Sequence, residues 1–443
     1  MKKCEIKIKK SRSQTLLNKV FSFLWPFRET LGGSISGLNF KFGELFEIIA
    51  SFFLLFKKRY KIACKNHQRI LACLFLTLVV TIVPTLIHLN TIDIPFFLKF
   101  VIKNSFTFFF LYMVISRRNV FSDKEINCMM KFIVIIEVIF AVFQYTFKIH
   151  IRDLKIEPMG FPLTIGGQTF PRLSGTASEP GYLVPILAPA LYYFSVNFKK
   201  NKIFCILSYL LLALTLSAFA IIALAALLIV FFAQSKGKTK TILRFLFITF
   251  ALLLITLYFS VSSVQRYVNY FVSKAMTYLN IFGENQSIIN ADYSASDRNQ
   301  HLRNALYIFN SGSFFEKLFG RGTGAYSYLQ KIYSPNIMVD GVEEAYNLYL
   351  STLTDRGIIG LIVLLALFYF LLQAGTSDTA SKALRFGIVI QMIHYFLVGN
   401  MWLYFLWYEA AILISYEYYL KRKEDLCVAA STMMSNFRRP QLN

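Results

Sequence analysis

Several stretches of this chain run for most of the thickness of a lipid bilayer without one formal charge, Leu71 to Leu89 and Phe245 to Ser260 among them. Crossing a hydrocarbon core about 30 Å thick takes roughly 20 apolar residues of helix. Inside that core every backbone N–H and C=O must be satisfied by the chain itself, which leaves helices and closed barrels as the spanning forms. Barrel strands would read as short alternating segments, so these long runs select helices. Composition agrees: of 443 residues 56% are hydrophobic and only 16% charged, and the mean hydropathy of +0.51 is too high for a soluble enzyme of this length. The sequence predicts an all-α, polytopic transmembrane helical bundle.

The formal charge of +23 does not indicate nucleic acid, because the lysines and arginines fall in short clusters beside the apolar segments. They read as topology signals. The basic then apolar N-terminus resembles a signal peptide, but Lys19 interrupts its apolar part and no small-x-small cleavage site follows, so it is expected to stay attached. Placing the densest cluster, Lys57 to Arg69, on the cytoplasmic side makes Leu71 to Leu89 and Pro95 to Ser116 a hairpin. Lys103 in its second arm either snorkels to an interface or faces the bundle interior. Lys131 to Phe147 exits and Tyr182 to Val196 returns. The apolar run from Ile203 to Phe232 lies between two basic clusters, which requires an even number of crossings and a break near Thr215 to Ala220. Thr241 to Ser260 exits, Ile358 to Gln373 returns, and a hairpin of Phe386 to Gly399 and Trp402 to Leu420 ends in a basic tail. That gives ten spans, or twelve if Thr15 to Thr30 and Phe42 to Phe56 also cross. The chain divides into a basic N-terminal segment (1–70), a first membrane part (71–260), a large outer loop (261–342), C-terminal spans (343–420) and a cytoplasmic tail (421–443). No cysteine falls in an outer region on this map, so no outer disulfide framework is expected, and no Cys/His zinc spacing occurs; no metal or cofactor is expected.

Two polar regions face outward. One is "PRLSGTASEPGYL", Pro171 to Leu183. The other is the loop of residues 261–342, whose eight tyrosines and six phenylalanines argue for a packed helical subdomain rather than disorder. Its "LFGRGTGAYSYL" lacks the lysine-serine pair of a phosphate loop and reads as a turn between helices. A synthetic reaction outside the cytoplasmic membrane needs a pre-activated donor, and a lipid-linked pyrophosphate is one. Arginine suits it, binding phosphate oxygens through two parallel hydrogen bonds and stabilising the charge of the departing group. The outer regions supply Arg172, Arg266, Arg298, Arg303 and Arg321.

"RLSGTASEPGYLVPILAPAL" resembles the R-x-x-G-x-x-x-E-P segment of the O-antigen polymerase and O-antigen ligase superfamily, the Wzy/WaaL-like bacterial membrane glycosyltransferases. "LTLSAFAIIALAALLIV", "SDRNQHLRNALYIFNSGSFFEKLFGRGTGAY" and "EEAYNLYLSTLTDRGIIGLIVLL" follow in the same order and are similar to its paired-helix, long-loop and post-loop segments. The resemblance covers roughly Arg172 to Leu372. It implies a GT-C-like, metal-independent glycosyltransferase of the bacterial inner membrane, with a periplasmic active face and a long periplasmic loop closing over the site. The donor implied is an undecaprenyl-pyrophosphate-linked glycan, and a chain-length regulator protein is a further candidate partner. The family's outward arginines bind the pyrophosphate, which carries over onto Arg172 and Arg298, then onto Arg303 and Arg321.

This chain departs from the ligase pattern twice. Ligases place a histidine in an Ala-His-Asn context after the loop, where this chain has Ala345, Tyr346 and Asn347, and an arginine often follows the paired-helix serine, where this chain has Ala218. A tyrosine with a pKa near 10 is a poor base at neutral pH, so the first departure favours a polymerase. The candidate catalytic residues are Glu179, Arg298 and Tyr346; the candidate binding residues are Arg172, Arg303, Arg321 and Asn347. Asp297, Glu343 and Glu344 stand behind Glu179 as carboxylates, and Glu179 followed by Pro180 also reads as a helix start. His301 is read as an exposed loop residue, His394 as a satisfied bundle residue, and Tyr326, Tyr328 and Tyr333 as loop packing. A flippase or transporter would show internal repeats and charged spans, whereas the spans here hold few charges beyond Lys103 and Glu409.

Overall fold

The computed structural model describes residues 12–27, 32–35, 38–152, 155–158, 163–165, 168–234, 293–333, 345–399 and 405–437, with isolated positions at 260, 265, 268 and 269. Its helices are α1 (Arg12–Leu24), α2 (Phe42–Leu55), α3 (Lys65–Ile87), α4 (Ile94–Ser116), α5 (Asp123–Phe147), α6 (Pro180–Val196), α7 (Lys202–Leu214) and α8 (Ala218–Gln234). After these come α9 (Tyr293–Asn310), α10 (Phe314–Phe319), α11 (Ala325–Tyr333), α12 (Leu348–Leu372), α13 (Thr379–His394) and α14 (Phe405–Phe437).

Among the described residues α3, α4, α5 and α12 are long and apolar enough to cross a membrane. That is fewer than the ten to twelve spans expected, chiefly because α6, α7 and α8 are short, with 17, 13 and 17 residues. At 1.5 Å per residue they rise only about 20 to 26 Å. All of the expected span at Thr241 to Ser260 except Ser260 itself lies outside the described residues, as does most of the loop up to residue 292.

The expectation of an all-α chain needs one correction. Among the described residues three antiparallel two-stranded ribbons accompany the helices: Gly32–Ile35 with Leu38–Lys41, Ile149–Arg152 with Lys155–Pro158, and Leu163–Ile165 with Gln168–Phe170. Ile149, Ile151 and Ile156, then Thr164, Ile165 and Thr169, are β-branched and favour extended backbone in a segment too broken by polar residues to sustain a helix. The chain is mostly helical.

At the centre lies α6, buried continuously from Leu183 to Tyr192. A helix apolar on every side belongs inside a bundle, and α6 packs against α5, α7, α8 and α13. Lys103 does not snorkel. Its Nζ lies 2.7 Å from Glu44 of α2, and both side chains are buried. An ion pair spares the bundle an isolated charge, which would be far more costly than the paired one.

The break between α7 and α8 falls at Thr215 to Ser217, within the stretch where the basic clusters place it. It adjoins the polar run at 171–179: Leu173 N–H donates to Leu214 O at 2.9 Å. The far end of α5 holds the same run, with Gln144 bonded to Gly175 N and O at 3.1 and 3.0 Å. Thr176 donates from N and Oγ1 to Glu137 at 3.0 and 2.5 Å. Gly175 has φ +59°, and a Cβ there would sit 2.1 Å from Glu137 Oε2, so glycine is favoured at the fourth position of Arg-Leu-Ser-Gly.

Candidate active site

The glycine-rich turn between α10 and α11 docks where α3 ends and α4 begins. Thr323 N–H donates to Thr85 Oγ1 at 2.8 Å, Asp93 N–H to Gly324 O at 3.2 Å, and Ser327 Oγ to Asp93 Oδ2 at 3.0 Å. On its other side is a kink in α12. Gly357 has φ +67°, and a Cβ on it would lie 2.5 Å from Gly320 N. Asp355, just before the kink, is buried and accepts the N–H groups of Gly324 and Tyr326, each at 3.1 Å. The carboxylate therefore sits at the start of α11, where the helix leaves backbone donors unsatisfied and carries partial positive charge. The glycines serve close backbone packing, and the turn is indeed a connection between two helices.

This docking fixes α9, which carries Arg298, over the start of α6. Arg298 Nη2 lies 3.9 Å from Glu179 Oε2, both side chains being partly exposed. Glu179 occupies the N-cap position of α6 with Pro180 next, as a helix start requires, yet its carboxylate makes no capping bond. It faces α9 instead. The Arg298 guanidinium also lies over the Tyr346 ring, 5.6 Å from its centre. The three candidate catalytic residues, Glu179, Arg298 and Tyr346, thus meet although they come from three separate segments.

Two histidines border this group. His301, three residues after Arg298, is buried rather than exposed. Its ring meets that of Tyr346 edge to face at 5.1 Å, and its Nδ1 is 2.7 Å from Tyr326 Oη. His394 at the end of α13 is buried between Tyr182 at 5.0 Å and Phe219 at 4.7 Å. A Cβ on Gly181 would have His394 Nε2 at 3.9 Å and Ser217 Oγ at 3.8 Å, so both polar atoms point at the first turn of α6. The proximity of His394 and Ser217 to Glu179 was not signalled by any local motif.

The candidate binding residues divide. Arg172 is half-buried and donates from Nε to Thr215 O at 3.2 Å, which ties it to the α7–α8 break at the same end of the bundle. Arg303 lies on α9 but five residues from Arg298, about 140° around the helix, and its Nε donates to Asn299 at 2.9 Å. Arg321 is held elsewhere: Nε is 3.7 Å from Glu316 Oε1 and Nη2 is 3.2 Å from Ser311 Oγ. Burial alone would raise the Glu316 carboxyl, but the Ser313 hydrogen bonds and the Arg321 charge hold it below its ordinary value. Asn347 caps α12, accepting from Leu350 N at 3.0 Å and donating to Phe396 O at 3.2 Å. The side chains of Arg321 and Asn347 are therefore engaged in local structure. Tyr326 is buried, and Tyr333 packs on Tyr307 at 5.5 Å, so both serve loop packing as expected. Asp297 has a described backbone only, and Arg266, Glu343 and Glu344 lie outside the described residues.

Among the described residues one trio has metal-ligating atoms close together, Cys64, His67 and Glu417, within 4.8 Å of one another at the opposite end of the bundle. Lys421 Nζ already lies 2.5 Å from the Glu417 carboxylate. The surrounding wall is basic, with Arg118 and Arg422 on it, which opposes a cation.

No curated protein matches the chain. Residues 203–365, from the start of α7 through most of α12, match the family model described as O-antigen ligase. Together with the motifs at Arg172 to Leu372 and the helical architecture, that match over part of the chain supports the O-antigen polymerase and ligase superfamily, a family of surface polysaccharide assembly.

Proposed function

We propose that the chain is a polysaccharide polymerase of the inner membrane with its active face in the periplasm, a GT-C-like bundle of ten to twelve spans. It moves a growing glycan from undecaprenyl pyrophosphate onto the terminal sugar of a second lipid-linked repeat unit. The observation that carries this reading is the meeting of Glu179, Arg298 and Tyr346 at the start of α6. In the reaction the acceptor hydroxyl oxygen forms the new bond to the anomeric carbon. The bond from that carbon to the pyrophosphate oxygen breaks, and its electron pair leaves with the pyrophosphate. Arg298, with Arg172 at the α7–α8 break on the same end of the bundle, stabilises the departing charge without a metal ion. Glu179, released from Arg298 as the pyrophosphate takes the guanidinium, receives the hydroxyl proton. Tyr346 holds the guanidinium by its ring face and presents an aromatic surface to sugar. A chain-length regulator is the natural protein partner of such a polymerase.

The second reading is a ligase that passes the same donor's glycan to the lipid A core, which the description of the matched family model favours. Tyr346 in place of the ligase histidine favours the polymerase. A chromosomal deletion separates the two. Loss of a polymerase leaves lipid A core carrying one repeat unit; core with no repeat, alongside accumulating long lipid-linked polymer, identifies a ligase.

A further inference from the structure

At the end of the bundle away from Arg298 and Glu179, the segment after α2, the turn after α4 and the second half of α14 enclose a cavity of about 770 Å³. Its wall carries Lys57, Lys58, Arg117, Arg118, Lys421 and Arg422 against a single lining carboxylate, Asp425. Basic residues at a membrane end follow from insertion alone. Their convergence on one concavity does not.

The arginines are positioned by neutral groups. Arg117 Nη1 donates to Lys57 O, and its buried Nε has no hydrogen-bond partner. Arg118 Nη2 donates to Lys61 O at 3.3 Å, and its guanidinium lies 4.9 Å from the centre of the Tyr60 ring. Arg118 is held at φ +45°, a conformation that residues other than glycine adopt rarely. Lys421 is paired with Glu417, and Asp425 is the one carboxylate on the wall itself. So many like charges within a Debye length repel one another unless an anion joins them.

We propose that this cavity binds a phosphate-bearing anion, through bidentate contacts from Arg117 and Arg118 and point charges from the lysines. The phosphate belongs either to the headgroup of an anionic lipid, for which a basic pocket between membrane helices is a suitable seat, or to a soluble polyphosphate. The site is separate from the proposed glycan chemistry.

Full-length protein purified in a neutral detergent tests this by thermal unfolding. It is titrated with dioctanoyl phosphatidylglycerol, with inorganic pyrophosphate, and with dioctanoyl phosphatidylcholine as the uncharged comparison. A rise in unfolding temperature with phosphatidylglycerol alone assigns the site to lipid. A rise with pyrophosphate assigns it to the soluble ion. Either must be absent with phosphatidylcholine and shrink as salt is raised. Lys58→Gln with Arg422→Gln should weaken the midpoint concentration by roughly tenfold or more, at about 1 kcal/mol per charge; Lys58→Arg with Arg422→Lys should retain it. Failure of both anions to stabilise the wild-type protein overturns the proposal, whatever the variants do. So does equal stabilisation of wild type and the Gln double variant.

Discussion

Asp355→Ala should release the loop helix α11 from α12. The wild-type carboxylate is 2% exposed and accepts two backbone N–H groups, from Gly324 and Tyr326. Alanine leaves both donors buried without that partner, at about 1–3 kcal/mol each, so the docked state loses roughly 2–6 kcal/mol. At 1.4 kcal/mol per factor of ten, the undocked population rises at least about 30-fold. Lys317, Arg321 and Lys331 put trypsin sites in the segment that undocks. Where opening and closing are fast relative to cleavage, the cleavage rate follows that population. Purified Asp355→Ala should therefore be cut in this segment at least about 30 times faster than wild type, and Asp355→Asn, which keeps one acceptor oxygen, at an intermediate rate. Because docking positions α9, polymer length should fall in the same order. Cleavage of Asp355→Ala at the wild-type rate would refute the idea that this carboxylate fastens the loop.

Gly175→Ala, with its Cβ 2.1 Å from Glu137 Oε2 at φ +59°, should lower accumulation of the protein in membranes, read by immunoblot. Lys103→Met should strand Glu44 and destabilise the bundle by about 3–5 kcal/mol, and Lys103→Met with Glu44→Leu should recover most of the unfolding temperature. The Glu316 carboxyl is held below its ordinary value by Ser313 and Arg321 against the effect of its burial. Its contribution to the α9–α10 turn is thus complete above the ordinary carboxylate value and lost as pH falls through the lowered one; hydrogen exchange at residues 311–319 should stay slow at pH 6 and quicken only in that acidic range. Arg321→Ala should loosen this turn while leaving polymer formation within a few-fold of wild type, as gel analysis of chain length would show.

Features that depend on local apolarity and charge were legible in the chain. The apolar lengths locate α3, α4, α5 and α12, and counting basic clusters locates the break at Thr215 to Ser217. Pro180 marks the start of α6 because proline suits the first helical position. What pairs across the bundle was not legible. Glu44 finds Lys103, Asp355 reaches Gly324, and His394 reaches the first turn of α6, and no spacing within the chain encodes such meetings. Glu179, Arg298 and Tyr346 were each identifiable from motif context, but their convergence depends on the loop docking against the α12 kink. Arg321 beside glycines reads as an anion ligand from the sequence, and no spacing in the chain shows that Glu316 lies beside it.

In the proposed reaction Arg298 and its neighbours at the start of α6 hold the donor pyrophosphate. Full-length protein in nanodiscs, supplied with undecaprenyl-pyrophosphate-linked repeat units, should build a ladder of polymer and release undecaprenyl pyrophosphate in step. Losing one transition-state contact to a leaving group costs about 10²–10³ in rate. Arg298→Ala should therefore slow both products together by that factor at saturating donor, while Arg321→Ala remains near wild type. A ladder of normal rate and length from well-folded Arg298→Ala would rule out Arg298 as the ligand of the departing pyrophosphate.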